Sequence, residues 1–304
     1  MMKMEKEYQK KIRVIPRLDV KGVNVVKGVH LEGLRVLGQP GSFAEAYYLE
    51  GADEIIYMDS VASLYGRNNL HNIVSEAAEH IFIPMTVGGG IRSLDDVQSL
   101  LKAGADKVAI NTALFQNPEL ITLVAERFGS QCMVVSIDVV ANETGGYDCL
   151  TDNGRENTGV ELMDWVDKVV ALGAGEILLT SVDMEGTGRG FDIELIKKVT
   201  LHAPIPVIAC GGAGSNQHVL DVIKHADADA ISVASILHYD LLSRVSTHND
   251  TNHGNKAFLQ RAHAQPSVQL RKGIESTTLT SLKEDLMSHD INIRNKTPNR
   301  VPLK

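Results

Sequence analysis

The sequence contains few cysteines and few aromatic residues. Among its 304 residues there are three cysteines, one tryptophan and 5% aromatic side chains. Cys132, Cys149 and Cys210 lie far apart and show no metal-ligand spacing, and two of them stand in apolar runs where a thiol behaves as a small hydrophobe. We therefore predict no metal site, and a reducing cytoplasm is the compartment that fits this cysteine content.

The sequence also lacks a basic excess and any long apolar run. Its formal net charge is −8, so no surplus of lysine and arginine is available to neutralise the phosphates of a nucleic acid. No apolar run reaches the length of about 18 residues that indicates a membrane helix, and the charged residues 1–11 lack the apolar region of a signal peptide. We predict no nucleic-acid partner and no membrane span. A hydrophobic content of 43% is sufficient for a full core.

Short β-branched runs alternate with amphipathic stretches along most of the chain. The runs predict eight strands, at Ile12–Leu18, Glu54–Met58, Pro84–Val87, Lys107–Ile110, Met133–Ile137, Glu176–Thr180, Pro206–Cys210 and Ala230–Val233. The amphipathic stretches predict helices at Ser42–Glu50, Leu70–His80, Leu94–Ala103, Pro118–Phe128, Gly159–Leu172, Ile193–Leu201 and Gln217–His225. Strands that alternate with helices in this number indicate an α/β fold, the closed parallel (β/α)₈ or TIM barrel. An open doubly wound sheet is the alternative, but Gln217 stands where a dinucleotide fingerprint needs glycine.

The remaining segments set the predicted boundaries. We expect an N-terminal extension at 1–11, the barrel at 12–240, a polar and disordered insertion at 241–278, the last barrel helix at 279–294 and a tail at 295–304. A second insertion, Gly145–Gly159, is long enough to form a small hairpin over the barrel mouth.

The two halves of the predicted barrel repeat each other. Asp19 and Asp138 each close an apolar run, and a glycine cluster follows two strands later in each half, at Gly88–Gly90 and Gly211–Gly214. Half-domains of about 120 residues with the same features indicate an internal two-fold repeat of half-barrels. A single strand-end aspartate can also be a turn or helix cap, and a single glycine cluster can be a tight turn.

The carboxyl ends of barrel strands carry the candidate chemistry. Asp19 and Asp138 should point into one mouth from opposite sides, an arrangement that suits general acid and base catalysis. The glycine clusters lie between a strand and a helix, where backbone N–H groups can surround a phosphate. Asn111 and Thr112 after the fourth strand and Ser235 after the eighth add polar groups, so we expect a substrate with a phosphate at each end.

Several motifs resemble one family closely. They are Arg17 to Gly22, Val25 to Gly28, Thr86 to Ile91, Gly104 to Val108, Ile110 to Thr112 and Gly173 to Ser181. They are similar to the cyclase subunit of imidazole glycerol phosphate synthase. In that family, ammonia from a separate glutaminase subunit crosses the barrel and reacts with a bisphosphorylated aminoimidazole ribonucleotide. The products are imidazole glycerol phosphate and an aminoimidazole carboxamide ribotide.

The resemblance implies the following roles. Asp19 and Asp138 are the catalytic acids, and the expected substrate- and phosphate-binding residues are Lys27, Gly90, Asn111, Thr112, Gly186, Gly212 and Ser235. It implies a heterodimer with a glutaminase and no cofactor.

Four charged residues stand at strand starts, at the end opposite the acids. They are Arg13, Glu54, Lys107 and Glu176, and they match the salt-bridged ammonia gate of the family. A stand-alone sugar isomerase with a similar barrel does not need such a gate. The alternative is that they form surface ion pairs, which are common and contribute little.

Three positions depart from the family pattern. Arg17 replaces a small residue beside the catalytic aspartate, Val140 replaces a lysine, and Glu185 replaces an aspartate. Together with the loops at 30–38 and 64–69, they are similar to a paralogous branch associated with amidination of a surface-polysaccharide sugar. That function and a non-catalytic scaffold that activates a glutaminase therefore stand as alternatives to histidine biosynthesis.

Overall fold

The computed structural model describes residues 10–62, 70–244 and 273–294. Most of the predicted N-terminal extension, residues 245–272 of the predicted insertion and the predicted tail lie outside the described residues, as does the loop at 64–69. No described helix is both long and apolar enough to cross a membrane.

Twelve strands lie within the described residues. In chain order they are β1 Arg13–Lys21, β2 Asn24–Val29, β3 Glu32–Gly38, β4 Ile55–Asp59, β5 Met85–Gly88, β6 Lys107–Ile110, β7 Met133–Ala141, β8 Tyr147–Thr151, β9 Glu156–Glu161, β10 Glu176–Ser181, β11 Val207–Cys210 and β12 Ala230–Val233. The eight predicted strands correspond to β1, β4, β5, β6, β7, β10, β11 and β12, which pair in parallel in that order. Pairing of β10 with β7 closes the sheet, so the predicted (β/α)₈ barrel is confirmed.

Helices cover the outside of the barrel. They are Pro40–Glu50, Leu70–Ala78, Leu94–Ala103, Thr112–Gln116, Leu120–Phe128, Leu162–Ala171, Ile193–Thr200, Asn216–Ala226, Ser235–Arg244 and Leu279–Ser288. Ser93 caps the helix Leu94–Ala103 and forms a capping box with Asp96. Ser42 does not cap a helix, because that helix already begins at Pro40, whose fixed φ suits the first helical turn. Asn117 is the C-cap of the helix Thr112–Gln116, and Glu119 is the N-cap of the helix that follows.

Two antiparallel hairpins extend the barrel at its mouth. The hairpin predicted within Gly145–Gly159 is confirmed as β8 and β9, which pair with each other, and β8 also pairs with β7. The predicted helix start at Gly159 is wrong, because β9 continues to Glu161 and that side chain caps the helix from Leu162. The β2–β3 hairpin was not predicted. Its two-residue turn consists of His30 and Leu31 at positive φ, where Asn-Gly is the usual signal.

The two-fold repeat is visible in strand lengths and in hydrogen bonds. β1 and β7 are both nine residues long, and each leads into a hairpin. The same hydrogen bond also recurs at three places, where an aspartate just before one strand accepts from a backbone N–H near the start of the neighbouring strand. The pairs are Asp53 with Val14, Asp106 with Met85 and Asp229 with Val207. At the fourth corresponding place Gly175 has no carboxylate, and its N–H donates to the carbonyl of Met133.

The C-terminal part completes the helical layer. The helix Ser235–Arg244 buries Leu241 and Leu242, so helical structure continues past the boundary predicted at 240. The predicted last helix is present as Leu279–Ser288. Lys283 on that helix donates to both oxygens of Asp53, at 2.9 and 3.0 Å, and attaches the helix to the barrel.

Side chains along each barrel strand alternate between two hydrophobic cores, one inside the barrel and one between the strands and the helices. Nine residues from seven barrel strands fill the barrel interior: Ile15, Ile56, Met58, Ala109, Val134, Leu178, Ile208, Cys210 and Ala230. Val14 and Leu18 instead join the larger core between the strands and the helices. Odd-numbered residues of β1 therefore point inward, with Arg13 at the floor and Asp19 at the mouth.

Candidate active site

The four predicted floor residues form a closed ring of ion pairs. Arg13 Nη1 lies 2.5 Å from Glu54 Oε1 and 3.1 Å from Glu176 Oε1. Lys107 Nζ lies 3.0 Å and 3.2 Å from the same two oxygens. Each cation thus bridges both carboxylates, and the ring spans the barrel from β1 to β6 and β10. These side chains are only 6–23% exposed, so they are not ordinary surface ion pairs.

At the mouth, Asp19 lies between two cations. Its Oδ1 accepts a hydrogen bond of 2.8 Å from Arg17 Nε, and its Oδ2 lies 3.9 Å from Lys27 Nζ. Lys27 also donates to Glu185, and the backbone N–H of Leu31 donates to the other oxygen of Glu185. Burial opposes the charged form of Lys27, but the carboxylates of Glu185 and Asp19 raise the pKa of this lysine. The structure therefore brings Asp19 and Lys27 together, with Arg17 and Glu185 as partners.

Asp138 has a more neutral environment at the end of β7. Asn111 Nδ2 donates to its Oδ2 at 3.0 Å, and Thr180 provides a second side-chain hydrogen bond. Burial raises the pKa of Asp138, although Arg17 and these hydrogen bonds partly oppose the shift. Burial thus moves the proton equilibrium of this carboxyl group toward neutral pH, the direction that acid/base catalysis requires.

A cavity of about 500 Å³ opens beside Asp138. Predicted site residues Gly90, Asn111, Thr112 and Asp138 all line it. Gly89 and Gly90 have φ of 102° and 73°, which non-glycine residues rarely adopt, so the backbone here depends on glycine. This first cradle, formed by Gly88–Gly90 with Asn111 and Thr112, is open to the cavity.

The second cradle lies apart from this cavity. Gly186, Gly212 and Ser235 are buried, and none of them is among the described residues that line this cavity. A Cβ atom on Gly212 would lie 1.9 Å from the carbonyl oxygen of Gly190, so the two loops pack backbone against backbone. The structure therefore does not bring the two predicted phosphate cradles into one open pocket.

Sequence reasoning assigned no role to two further acids. Asp59 ends β4 and lines the same cavity as Asp138, and burial raises its pKa. The signal was available, because Asp59 closes an apolar run just as Asp19 does. Glu185 was noted only as a departure from the family pattern. Its contact with Lys27 depends on the β2–β3 hairpin, which was not predicted.

The β2–β3 hairpin covers the Asp19 side of the mouth. Leu31 at its tip packs with Leu150 of β8 and with Val182 after β10. His30 donates its backbone N–H to the carbonyl of Glu185, and Asn153 donates to the carbonyl of Leu31 at 3.1 Å. These contacts join the two mouth hairpins and hold Lys27 inside.

Comparison with known proteins identifies relatives along most of the barrel. A family model described as histidine biosynthesis protein matches residues 13–243. Imidazole glycerol phosphate synthase subunit HisF from Legionella pneumophila is 61% identical over 203 residues, covering 67% of this chain and 96% of that protein. The same subunit from Streptomyces avermitilis is 48% identical over 228 residues, covering 75% and 90%. The Streptococcus sanguinis subunit is 45% identical over 237 residues, covering 78% and 94%.

The match in sequence agrees with the closed barrel and with the family motifs at its two ends. The chain belongs to the histidine biosynthesis protein family, as a member of the HisF group of imidazole glycerol phosphate synthase subunits.

Proposed function

We propose that this chain is the ammonia-using cyclase subunit of an imidazole glycerol phosphate synthase. It converts a bisphosphorylated aminoimidazole ribonucleotide and ammonia to imidazole glycerol phosphate and an aminoimidazole carboxamide ribotide. One observation carries the proposal: a single barrel has a closed ring of ion pairs at its floor and a cavity with an acid of raised pKa at its mouth. A stand-alone isomerase has no use for such a floor.

The floor is proposed as the docking site of a glutaminase subunit and as the entry point for ammonia. Glutamine hydrolysis needs another chain, because the three cysteines are buried and none stands in a nucleophile elbow. Exposed apolar side chains support docking at this end. Phe82 precedes β5 and Leu201 precedes β11, and both are 75% exposed. The ring of Arg13, Glu54, Lys107 and Glu176 then acts as the gate to the interior.

The mouth is proposed as the site of ring closure. Asp138 and Asp19 supply the acid/base pair, and positioned groups of this kind typically contribute about 10²–10⁴-fold in rate. Gly90, Asn111 and Thr112 bind one phosphate of the substrate. Gly186, Gly212 and Ser235 bind the other once the loops that pack over them separate, and Lys27 closes over the substrate with its hairpin.

The proposal is tested by turnover. The full chain with the imidazole precursor and ammonium salt should form both products, and addition of a glutaminase subunit should make glutamine an effective nitrogen source. Absence of turnover with ammonium by a folded protein would contradict the proposal.

The same assay addresses the alternatives. The three relatives compared above bear the name of the histidine-pathway synthase, which does not favour sugar amidination. A chain that stimulates a glutaminase but does not consume the imidazole precursor would support the sugar branch or the scaffold, with Arg17 and Val140 as the first residues to change.

A further inference from the structure

Arg17 crosses the inside of the barrel just below the mouth. It lies on the inward face of β1, between Ile15 of the interior core and Asp19 at the mouth, and is only 4% exposed. Its Nε donates to Asp19, while its Nη1 lies 3.3 Å from Thr180 Oγ1 on β10 and 3.4 Å from Cys210 Sγ on β11. The side chain therefore fills the part of the barrel bounded by β1, β10 and β11.

The opposite part of the barrel is open. The cavity beside Asp138 reaches Met58, Ala109 and Ser136, which lie on β4, β6 and β7. Met58 and Ala109 belong to the interior core, so the cavity extends from the mouth toward the barrel interior along this wall. Asp19 is not among the described residues that line the cavity.

Stability alone does not account for a buried arginine at this position. Two charges taken out of water lose hydration that their mutual attraction repays only in part, and apolar residues of similar volume are often at least as stable. Even so, Asp19 and surrounding carboxylates hold the pKa of Arg17 well above its ordinary value, against the effect of burial. The guanidinium is therefore a permanent charge inside the barrel, just below the mouth.

We propose that Arg17 is a positioning residue that divides the mouth, holding Asp19 as a fixed counter-ion and leaving Asp138 as the acid that meets ammonia from the interior. This inference rests on the proposed function for the ammonia and changes one role in it. Asp138 exchanges protons with the substrate, whereas Asp19, instead of completing an acid/base pair with Asp138, keeps Arg17 in place.

The charges around Asp138 make the proposal measurable. On β1 they are Arg17 and Asp19, on β8 the thiol of Cys149 interacts with Asp138, and Asp59 of β4 lines the same cavity. The Arg17 charge lowers the pKa of Asp138. Removing this charge must therefore raise that pKa and extend the protonated form of Asp138 to higher pH.

The first experiment compares R17M and R17K in the full chain, with ammonium as nitrogen source. R17M should shift the alkaline limb of the kcat–pH profile upward by about one unit, the lower end of the effect of a nearby charge. R17K keeps the charge and should restore the original profile. Ile15→Val, on the same inward face, is the uncharged control. An unshifted profile in R17M, whatever its kcat, would overturn the proposal.

A second experiment asks whether Asp19 itself moves a proton. In D19N the Arg17 charge loses its counter-ion, whereas R17M/D19N removes both. If Asp19 is a counter-ion, the double variant should turn over at least about tenfold faster than D19N, since coupled residues are strongly non-additive. A double variant no faster than D19N would show that Asp19 carries a proton, and the division of tasks would be wrong.

A third measurement does not depend on turnover. The infrared band of the protonated Asp138 carboxyl, assigned by its loss in D138N, gives the titration midpoint directly. If this midpoint shifts upward in R17M but the unmodified protein shows no turnover, the proposed function is refuted and the role of Arg17 stands. Turnover without this shift would refute the role of Arg17 alone.

Discussion

At the floor of the barrel, two cations and two carboxylates share one ring, whereas at the mouth the same number of charges forms two linked pairs. Each floor ion has two partners, and three of the four side chains are 12–23% exposed, Glu54 being buried at 6%. The mouth pairs, Arg17 with Asp19 and Lys27 with Glu185, have side chains no more than 7% exposed. A ring can open at one bond while its members stay paired, but a buried pair that separates leaves an uncompensated charge.

This difference fits the tasks proposed for the two ends. A gate must open and close repeatedly, which suits the floor, where each opened contact leaves a second one. A catalytic site must hold its charges in one arrangement, which suits the buried mouth. Asp138 differs from all these residues because no ion pair among the described residues includes it, and of Asp19 and Asp138 it alone lines the cavity.

The largest effect is expected at Asp138. Asp138→Asn keeps the size and hydrogen-bonding capacity of the side chain but cannot exchange the proton, so kcat should fall by about 10²–10⁴-fold. The loss should be equal with glutamine and with ammonium, because both routes end at the mouth. Steady-state kinetics with each nitrogen source measures it, with thermal unfolding to confirm the fold. A loss under tenfold would identify Asp138 as a structural residue.

At the floor, Lys107→Ala should separate the two nitrogen sources. The change leaves Glu54 and Glu176 with Arg13 alone, so the ring no longer closes. The fraction of glutamine hydrolysis that leads to product should decrease by about 5–150-fold, the range that is usual for coupling between two sites. Reaction with external ammonium should remain largely intact. Equal losses with both sources would show that Lys107 only supports the structure.

The two ends of the barrel also differ in how much of their structure the sequence predicts. Charges at Arg13, Glu54, Lys107 and Glu176 predicted the floor ring because strand starts in a closed parallel barrel must meet at one end. Asp19 and Asp138 were located at the mouth by the same argument. The position of a residue along its strand therefore shows at which end of the barrel it lies, and this position can be read from each strand separately.

The contents of the mouth were harder to predict. The contact between Lys27 and Glu185 joins residues 158 positions apart through a hairpin whose turn lacks the usual signal residues. The packing of the second cradle depends on how two glycine loops meet, which no pattern in either loop specifies. Arg17 was recognised as unusual, but which neighbours its long side chain reaches is a property of the assembled barrel.

The two glycine cradles extend the comparison to the substrate. Gly90→Ala places a side chain where φ is 73° and where the cavity is open, so it should disturb the phosphate contact. Loss of one hydrogen bond to a charged group costs about 1.5–3 kcal/mol, so KM should rise about tenfold or more, with a smaller change in kcat. Gly145→Ala is the matched control, since its φ is 81° and no atom lies within 4 Å of the added Cβ. A KM change of the same size in both variants would exclude phosphate binding at Gly90.

The smallest effect is expected at the hairpin that covers the mouth, where two variants of one residue separate packing from backbone strain. Leu31 has φ of 59° and is 4% exposed, so its packing against Leu150 and Val182 holds it in a conformation that costs a side-chain-bearing residue roughly 1–2 kcal/mol. Leu31→Ala loses the packing and keeps the strain, whereas Leu31→Gly loses both. The glycine variant should therefore be more stable to urea than the alanine variant by about 1 kcal/mol, although both lose the apolar contact. Equal stability would mean that the turn relaxes without Leu31. The hairpin, and with it the pair of Lys27 and Glu185, would then be held by its backbone contacts to Glu185 rather than by the apolar cluster.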